Sequence, residues 1–250
     1  DDKQNAMKDY QQRFIFAAER CNALEIGSFR LRSGRASPWF FDVGRCYNGT
    51  AITDIAGGYA QALLKSEIYF DNLYGIPEKA SNLVGPIAMK LFDGGKNASF
   101  FSTRVIQKDH GEGTKRPTRL VGQIPKEGAA ISQIDDVFTT GATKYEERQK
   151  LENLGNFTYP LLVIGINRQE VDESGKDPIK EYEARTGTKV LSVVTATEVY
   201  EVLKYTSLIQ QEGLEKIAEH LMEYGTERAK HELASIEERN KQIYCSSKFQ

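Results

Sequence analysis

The stretch Ile134-Asp135-Asp136-Val137-Phe138-Thr139-Thr140-Gly141-Ala142-Thr143-Lys144 decides how this chain folds. It closes a short apolar strand, Ala129 to Ile134, on two adjacent carboxylates and then runs through a Thr/Gly turn into a helix. The N–H groups of such a turn and the positive end of the next helix make a concave anion site, and Gly141 lets the main chain come close to a phosphate. The hydroxyls of Thr139, Thr140 and Thr143 add donors. Adjacent carboxylates repel, so Asp135 and Asp136 require hydroxyl donors or a cation, and a sugar diol with Mg²⁺ would supply both. Taken alone, the Asp-Asp pair is also an ordinary way to end a strand ahead of a helix N-cap. The GxxxxGK[ST] pattern of a Walker loop is absent.

Outward from this stretch the chain alternates. Apolar strands are expected at Tyr69–Tyr74, Ser99–Thr103, Ala129–Ile134, Leu161–Ile166 and Val190–Val194. Between them, apolar residues recur at three- and four-residue spacing: Ile52, Ile55, Ala56, Tyr59 and Leu63; then Val84, Ile87, Ala88 and Leu91; then Tyr145, Leu151 and Leu154 after Gly141. Strands alternating with helices imply βαβ crossovers and a mainly parallel sheet covered on both faces, a doubly wound α/β fold. Upstream, the spacing of Phe14, Ala17, Ala18, Cys21 and Leu24 predicts a helix over 6–24. Phe29–Leu31 and Trp39–Val43 flank Ser33-Gly34-Arg35 and predict a hairpin. Residues 104–122 are charged and glycine-bearing, long for an idle loop, and are expected to form a working lid. The last fifty residues are charged and helical, with Leu214, Ile217, Ala218 and Leu221 on one face; no repeat and no second domain is apparent in the pattern.

Composition narrows the function. Lys and Arg number 33 against 35 Asp and Glu, a formal charge of −2, which argues against a nucleic-acid binder relying on bulk positive charge. No apolar run approaches the roughly 18–20 residues of a membrane span, and the polar start lacks a basic then apolar leader pattern. Three cysteines, at 21, 46 and 245, have neither metal-ligand spacing nor the even count of a disulfide framework, so a cytoplasmic location is expected.

The strand, the two acids and the Thr/Gly loop resemble the phosphoribosyl diphosphate (PRPP) signature of type I phosphoribosyltransferases. Four further segments narrow the resemblance to orotate phosphoribosyltransferase: Phe29–Asp42 (FRLRSGRASPWFFD), Tyr74–Ala80 (YGIPEKA), Arg104–Gly113 (RVIQKDHGEG) and Asn167–Glu170 (NRQE), in the family's order. The likeness spans roughly residues 10–206. It implies the type I fold: a mainly parallel central sheet flanked by helices, with a small N-terminal hood that includes the hairpin. The hood would occupy about 10–49 and the core about 50–206 of a single domain over 1–206, followed by a helical extension over 207–250.

The resemblance also implies the chemistry: transfer of the phosphoribosyl group of PRPP to orotate, giving orotidine 5′-monophosphate and diphosphate on the route to UMP. Asp135, Asp136, Val137, Phe138, Thr139, Thr140, Gly141, Ala142 and Thr143 would hold the ribose hydroxyls and 5′-phosphate, with Thr139 also reaching the base. Arg32, the backbone around Phe40 and Phe41, and the planar fork of Arg168 would hold orotate, Arg168 pairing with its carboxylate. Glu78 and Lys79 would hold the diphosphate, joined by Arg104, Lys108 and His110 from a loop over 104–122 shared between the subunits of a homodimer. Lys108, His110, Asp135 and Asp136 would be the catalytic groups, the first two stabilising the departing diphosphate and the acids favouring a cationic ribose. Mg²⁺ would be held mainly by PRPP, with Asp135 or Asp136 as its protein ligand, and a separate orotidine-monophosphate decarboxylase is a candidate partner. Neither nucleic acid nor membrane is implied.

The chain departs from the family pattern at Val105, where many members carry a second basic residue, at Ala80 in place of a common Gly, and at Ser132-Gln133 inside a strand usually wholly apolar. The loop also carries a basic insertion, Lys115-Arg116-Pro117-Thr118-Arg119. Two alternatives stay open: a type I enzyme for another base, and a PRPP-sensing relative without catalysis.

Overall fold

The computed structural model describes residues 7–31, 33–103, 120–206 and 208–246, with side chains described to residue 239. Its centre is a six-stranded sheet in the order β5(Leu120–Gly122)-β4(Ser99–Thr103)-β3(Asn72–Gly75)-β6(Ala130–Val137)-β7(Thr158–Asn167)-β8(Lys189–Thr195). All pairings are parallel except β5 on β4, so the mainly parallel α/β fold expected from the alternation is present. Strand β7 shows why both faces need cover. Leu161 and Val163 belong to one apolar cluster and Leu162 and Ile164 to the other, as a period of two with both faces buried requires.

On one face pack α1(Asp9–Arg20), α2(Gly49–Lys65), α3(Val84–Asp93) and α6(Ala196–Thr206); on the other, α4(Ala142–Glu152) and α5(Pro178–Thr186). The expected hairpin is β1(Leu24–Arg30) with β2(Ala36–Phe41), antiparallel, with an irregular register between Ile26 and Phe29. It sits beyond the C-terminal ends of the parallel strands as a hood over the mouth of the sheet, tied down by Asp42 to Lys79 and by Ser37 to Arg168. The extension forms α7(Gln211–Tyr224) and α8(Glu227–Ser246), which pack on the same chain: Leu214, Ile217, Leu221, Leu233 and Ile236 join the larger core cluster.

Three expectations are corrected. The first helix ends at Arg20, not 24, because Asn22 adopts a left-handed φ of 54°. Ala23 N–H then bonds Ala18 C=O at 2.8 Å and Asn22 N–H bonds Glu19 C=O at 2.9 Å, a paired helix stop that frees Leu24 to begin β1. Residues 120–122, expected to be lid, form the antiparallel edge strand β5. Strand β6 continues through Val137, so Asp135 and Asp136 lie inside the strand rather than after it. Its polar pair, Ser132 and Gln133, is wholly buried, and Ser132 Oγ and Gln133 Nε2 have no partner among the described residues.

Candidate active site

Beneath the hood, at the carboxyl ends of β3, β6 and β7, lies a cleft of about 1130 Å³. Open α/β sheets place their ligands in such a crevice. One wall is the β6–α4 turn. Gly141, at φ 77°, is the N-cap of α4, and a Cβ there would meet the Phe138 ring at 2.6 Å, so only glycine makes this turn without strain. Tyr145 N–H bonds Gly141 C=O, so the intrahelical ladder starts at Tyr145 and the amides of Ala142, Thr143 and Lys144 stand at the positive end of the helix. Thr139 and Thr143 line the cleft.

The two carboxylates are held differently. Asp135 pairs with Lys144 at 2.6 Å, both side chains being less than a tenth exposed, and Lys144 also donates to the Val137 carbonyl at 2.7 Å. Asp136 faces Lys79 at 3.4 Å, and Lys79 bonds Asp42 of the hood at 3.0 Å. Burial first, and then the charge of Asp135, push the Asp136 carboxyl up to about 6 against the pull of Lys79 and Lys144. Burial would lower the Lys79 ammonium, but Asp136 and Asp42 outweigh it and its pKa is raised. Tyr59 donates to the Asp135 carbonyl at 2.7 Å and locks the strand from below.

The opposite wall is the hood with Arg168. Phe40 and Phe41 line the cleft, Phe40 stacked on Phe29 with centroids 5.5 Å apart. Arg168 also lines it, yet it is 3% exposed, and part of its fork is already committed. Nε and Nη2 bond Glu170 Oε1 at 2.8 and 2.7 Å, Nη2 bonds Ser37 Oγ at 2.8 Å, and the guanidinium lies 3.9 Å from the Trp39 ring centroid. Nη1 takes part in none of these contacts. Glu78 and Lys79 line the cleft from the loop after β3.

The fold therefore brings together Phe40, Phe41, Glu78, Lys79, Asp135, Asp136, Val137, Thr139, Thr143 and Arg168 around one cleft. Phe138, Thr140, Gly141 and Ala142 complete the turn; Phe138 and Thr140 face an adjoining cavity of about 390 Å³ that shares Thr139 and Arg168 with the cleft. Arg32, Arg104, Val105, Lys108, His110 and the 115–119 insertion lie outside the described residues. Several cleft residues escaped the sequence reading. Lys144 is one; its place at the end of the motif was the signal. Glu147, three residues on, is another: it is buried and accepts from Tyr74 Oη at 2.5 Å.

Among the described residues no cluster of three or more His, Cys, Asp or Glu is arranged to hold a metal, and Asp135 and Asp136 are engaged by lysines. This donor set does not fit an all-protein cage. It does fit a Mg²⁺ carried by substrate oxygens with at most one carboxylate from the chain. No described helix is long and apolar enough to cross a membrane.

No protein-family profile matches the chain. It is 35% identical over 222 residues to the orotate phosphoribosyltransferase of Saccharophagus degradans, 88% of this chain and 100% of that protein. The enzyme of that name from Nitrosococcus oceani is 33% identical over 223 residues, 89% of this chain and 98% of its own. Among solved structures, orotate phosphoribosyltransferase from Francisella tularensis matches with a TM-score of 0.69 and 27% identity, covering 85% of this chain and 98% of that one. A mainly parallel sheet under a hairpin hood, with an acid pair running into a Thr/Gly turn at a helix start, defines the type I phosphoribosyltransferase fold. The chain belongs to the orotate phosphoribosyltransferase family.

Proposed function

We propose that this protein transfers the 5-phosphoribosyl group of PRPP to N1 of orotate, giving orotidine 5′-monophosphate and diphosphate. The observation that carries this is the two-sided cleft, with an anion-binding turn and a buried acid pair facing a buried arginine beside an aromatic hood. In this reading the 5′-phosphate sits on the α4 N-terminus and the ribose hydroxyls bond Asp135 and Asp136. The diphosphate lies against Glu78 and Lys79, and orotate lies between the Phe40–Phe41 strand and Arg168, whose Nη1 meets its carboxylate. The transition state is oxocarbenium-like, so the acid pair favours the cationic ring while cations favour the departing diphosphate. Lys79 would pass from Asp136 to the incoming diphosphate, restoring negative charge beside the ribose as that ring becomes positive. Asp135 or Asp136 would be the protein ligand of a Mg²⁺ held mainly by PRPP, which would supply positive charge to the leaving group when bound. Arg104, Lys108 and His110 would cover the diphosphate.

A homodimer with a shared loop fits the exposed apolar residues beside that segment: Met89 and Phe92 on α3, Phe100 on β4 and Val121 on β5. Lys108→Ala and Asp136→Ala enzymes, mixed after co-refolding, should regain part of the activity through heterodimers with one intact site; no recovery rejects the shared site. The free thiols of Cys21 and Cys46 suit a cytosolic enzyme, and a separate decarboxylase would consume the product. The deciding assay is the loss of orotate absorbance with PRPP and Mg²⁺, with hypoxanthine and adenine as controls. Orotate-specific turnover upholds the proposal; turnover with a purine alone, or PRPP binding without turnover, overturns it.

A further inference from the structure

We propose that His220, on helix α7 of the C-terminal extension, is a positioning residue for Arg168, acting through Glu170. The inference rests on the reading of Arg168 as the group that meets the orotate carboxylate. An arginine meant for a ligand carboxylate is compromised by a buried glutamate beside it, because that glutamate will draw every donor the fork has. Here Glu170 is satisfied from elsewhere. Its Oε2 accepts from Arg35 Nη1 at 3.0 Å, and its Oε1, already bonded to Arg168, also accepts from His220 Nε2 at 3.0 Å. A carboxylate only accepts, so Nε2 is the donor. With Arg35 and His220 filling Glu170, Arg168 keeps Nη1 out of the pair and its guanidinium over the Trp39 ring. Two guanidinium groups against one carboxylate also leave the cluster net positive, as an anionic ligand requires. Burial alone would raise the Glu170 carboxyl; the His220 bond and the Arg168 charge outweigh it and hold it at about 2, so it stays ionised as an anchor.

The surrounding backbone points the same way. Gln169 holds a left-handed φ of 56°, a strained setting for a side chain of its size. The extension stabilises that turn. Thr226 N–H bonds the Gln169 carbonyl at 2.7 Å, Val171 N–H bonds the Tyr224 carbonyl at 2.9 Å, and Glu232 of α8 accepts from Gln169 Nε2 at 2.8 Å. Tyr224 packs on both Arg35 and His220. The side chain of His220 is only 5% exposed, so it is placed for the chain's own use.

The test compares full-length wild type, His220→Ala and His220→Gln. Trp39 is the single tryptophan and lies against Arg168, so its emission reports the guanidinium directly, whatever the enzyme turns over. His220→Ala should shift Trp39 emission in the direction of Arg168→Ala. It should also raise the KM for orotate about five- to tenfold, the loss of about one well-made hydrogen bond, with kcat and the KM for PRPP within about twofold. His220→Gln, which can still donate to Glu170, should restore both. Should His220→Ala not fold, His220→Asn, polar but one carbon shorter, carries the same comparison. Unchanged emission with unchanged orotate KM overturns the inference, as does a parallel rise of both KM values with a fall in Tm. Wild type that fails to turn over orotate sinks the proposed function, while the emission data still decide the positioning.

Discussion

Replacing Lys144 with Met keeps the length of the side chain and removes its charge from a buried ion pair of the site. At 2.6 Å and an effective dielectric of about 20, the attraction between Lys144 and Asp135 is about 6 kcal/mol. The bond to the Val137 carbonyl adds about 1 kcal/mol. Removing the ammonium also removes the cost of burying it, so the net destabilisation should be about 3–5 kcal/mol, as for other buried pairs that lose one partner. The variant then buries two carboxylates with only Lys79 nearby, at 3.4 Å from Asp136. Protonation relieves that charge, so the deficit should shrink as pH falls from 7.5 to 5.5. Urea denaturation at both pH values, followed by far-UV circular dichroism, measures it. A deficit below about 1 kcal/mol at pH 7.5, or one independent of pH, would refute the argument that Lys144 neutralises the acid pair.

Asp136 carries a second pH signature. A carboxyl raised from 3.8 to about 6 on folding contributes stability that is fully present below its unfolded pKa and is lost as pH rises through about 6. Wild type should therefore gain stability between pH 7.5 and 5, by about 1 to 1.5 kcal/mol, and Asp136→Asn should gain distinctly less; urea midpoints at three pH values check this. Arg168→Lys should raise the orotate KM by at least about tenfold, because a point charge cannot keep the Glu170 and Ser37 bonds, stack on Trp39 and still offer a donor to the ligand; isothermal titration with orotate and initial rates read it out. Gly165→Ala should cost about 1–3 kcal/mol, since its Cβ would lie 2.7 Å from Tyr59 Oη, 3.0 Å from Phe41 and 3.1 Å from the Asp136 carbonyl; a Tm equal to wild type would contradict that packing.

The alternation of strands and helices, the hairpin and the Thr/Gly turn were legible in the chain because each depends on residues a few positions apart: a period of two or 3.6, a glycine at a left-handed turn, donors at a helix start. The first helix overran its end because apolar spacing continued past Asn22, and only the left-handed backbone there shows the stop. The edge strand β5 was hidden because three residues carry too little pattern and their pairing partner is β4, across a charged segment. Within the site, residue types and order named most of the lining, but not what each is bound to. Ser37 and Arg168 are 131 positions apart, His220 and Glu170 are 50, and Lys79 and Asp136 are 57. Such pairs exist only once the crossovers have stacked β3, β6 and β7 and α7 has docked on the hood. Local chemistry is written residue by residue, so sequence alone determined the fold class and the Thr/Gly turn. The raised carboxyl of Asp136 and the aim of Arg168 depend on burial and on partners far along the chain, and those only the tertiary structure decided.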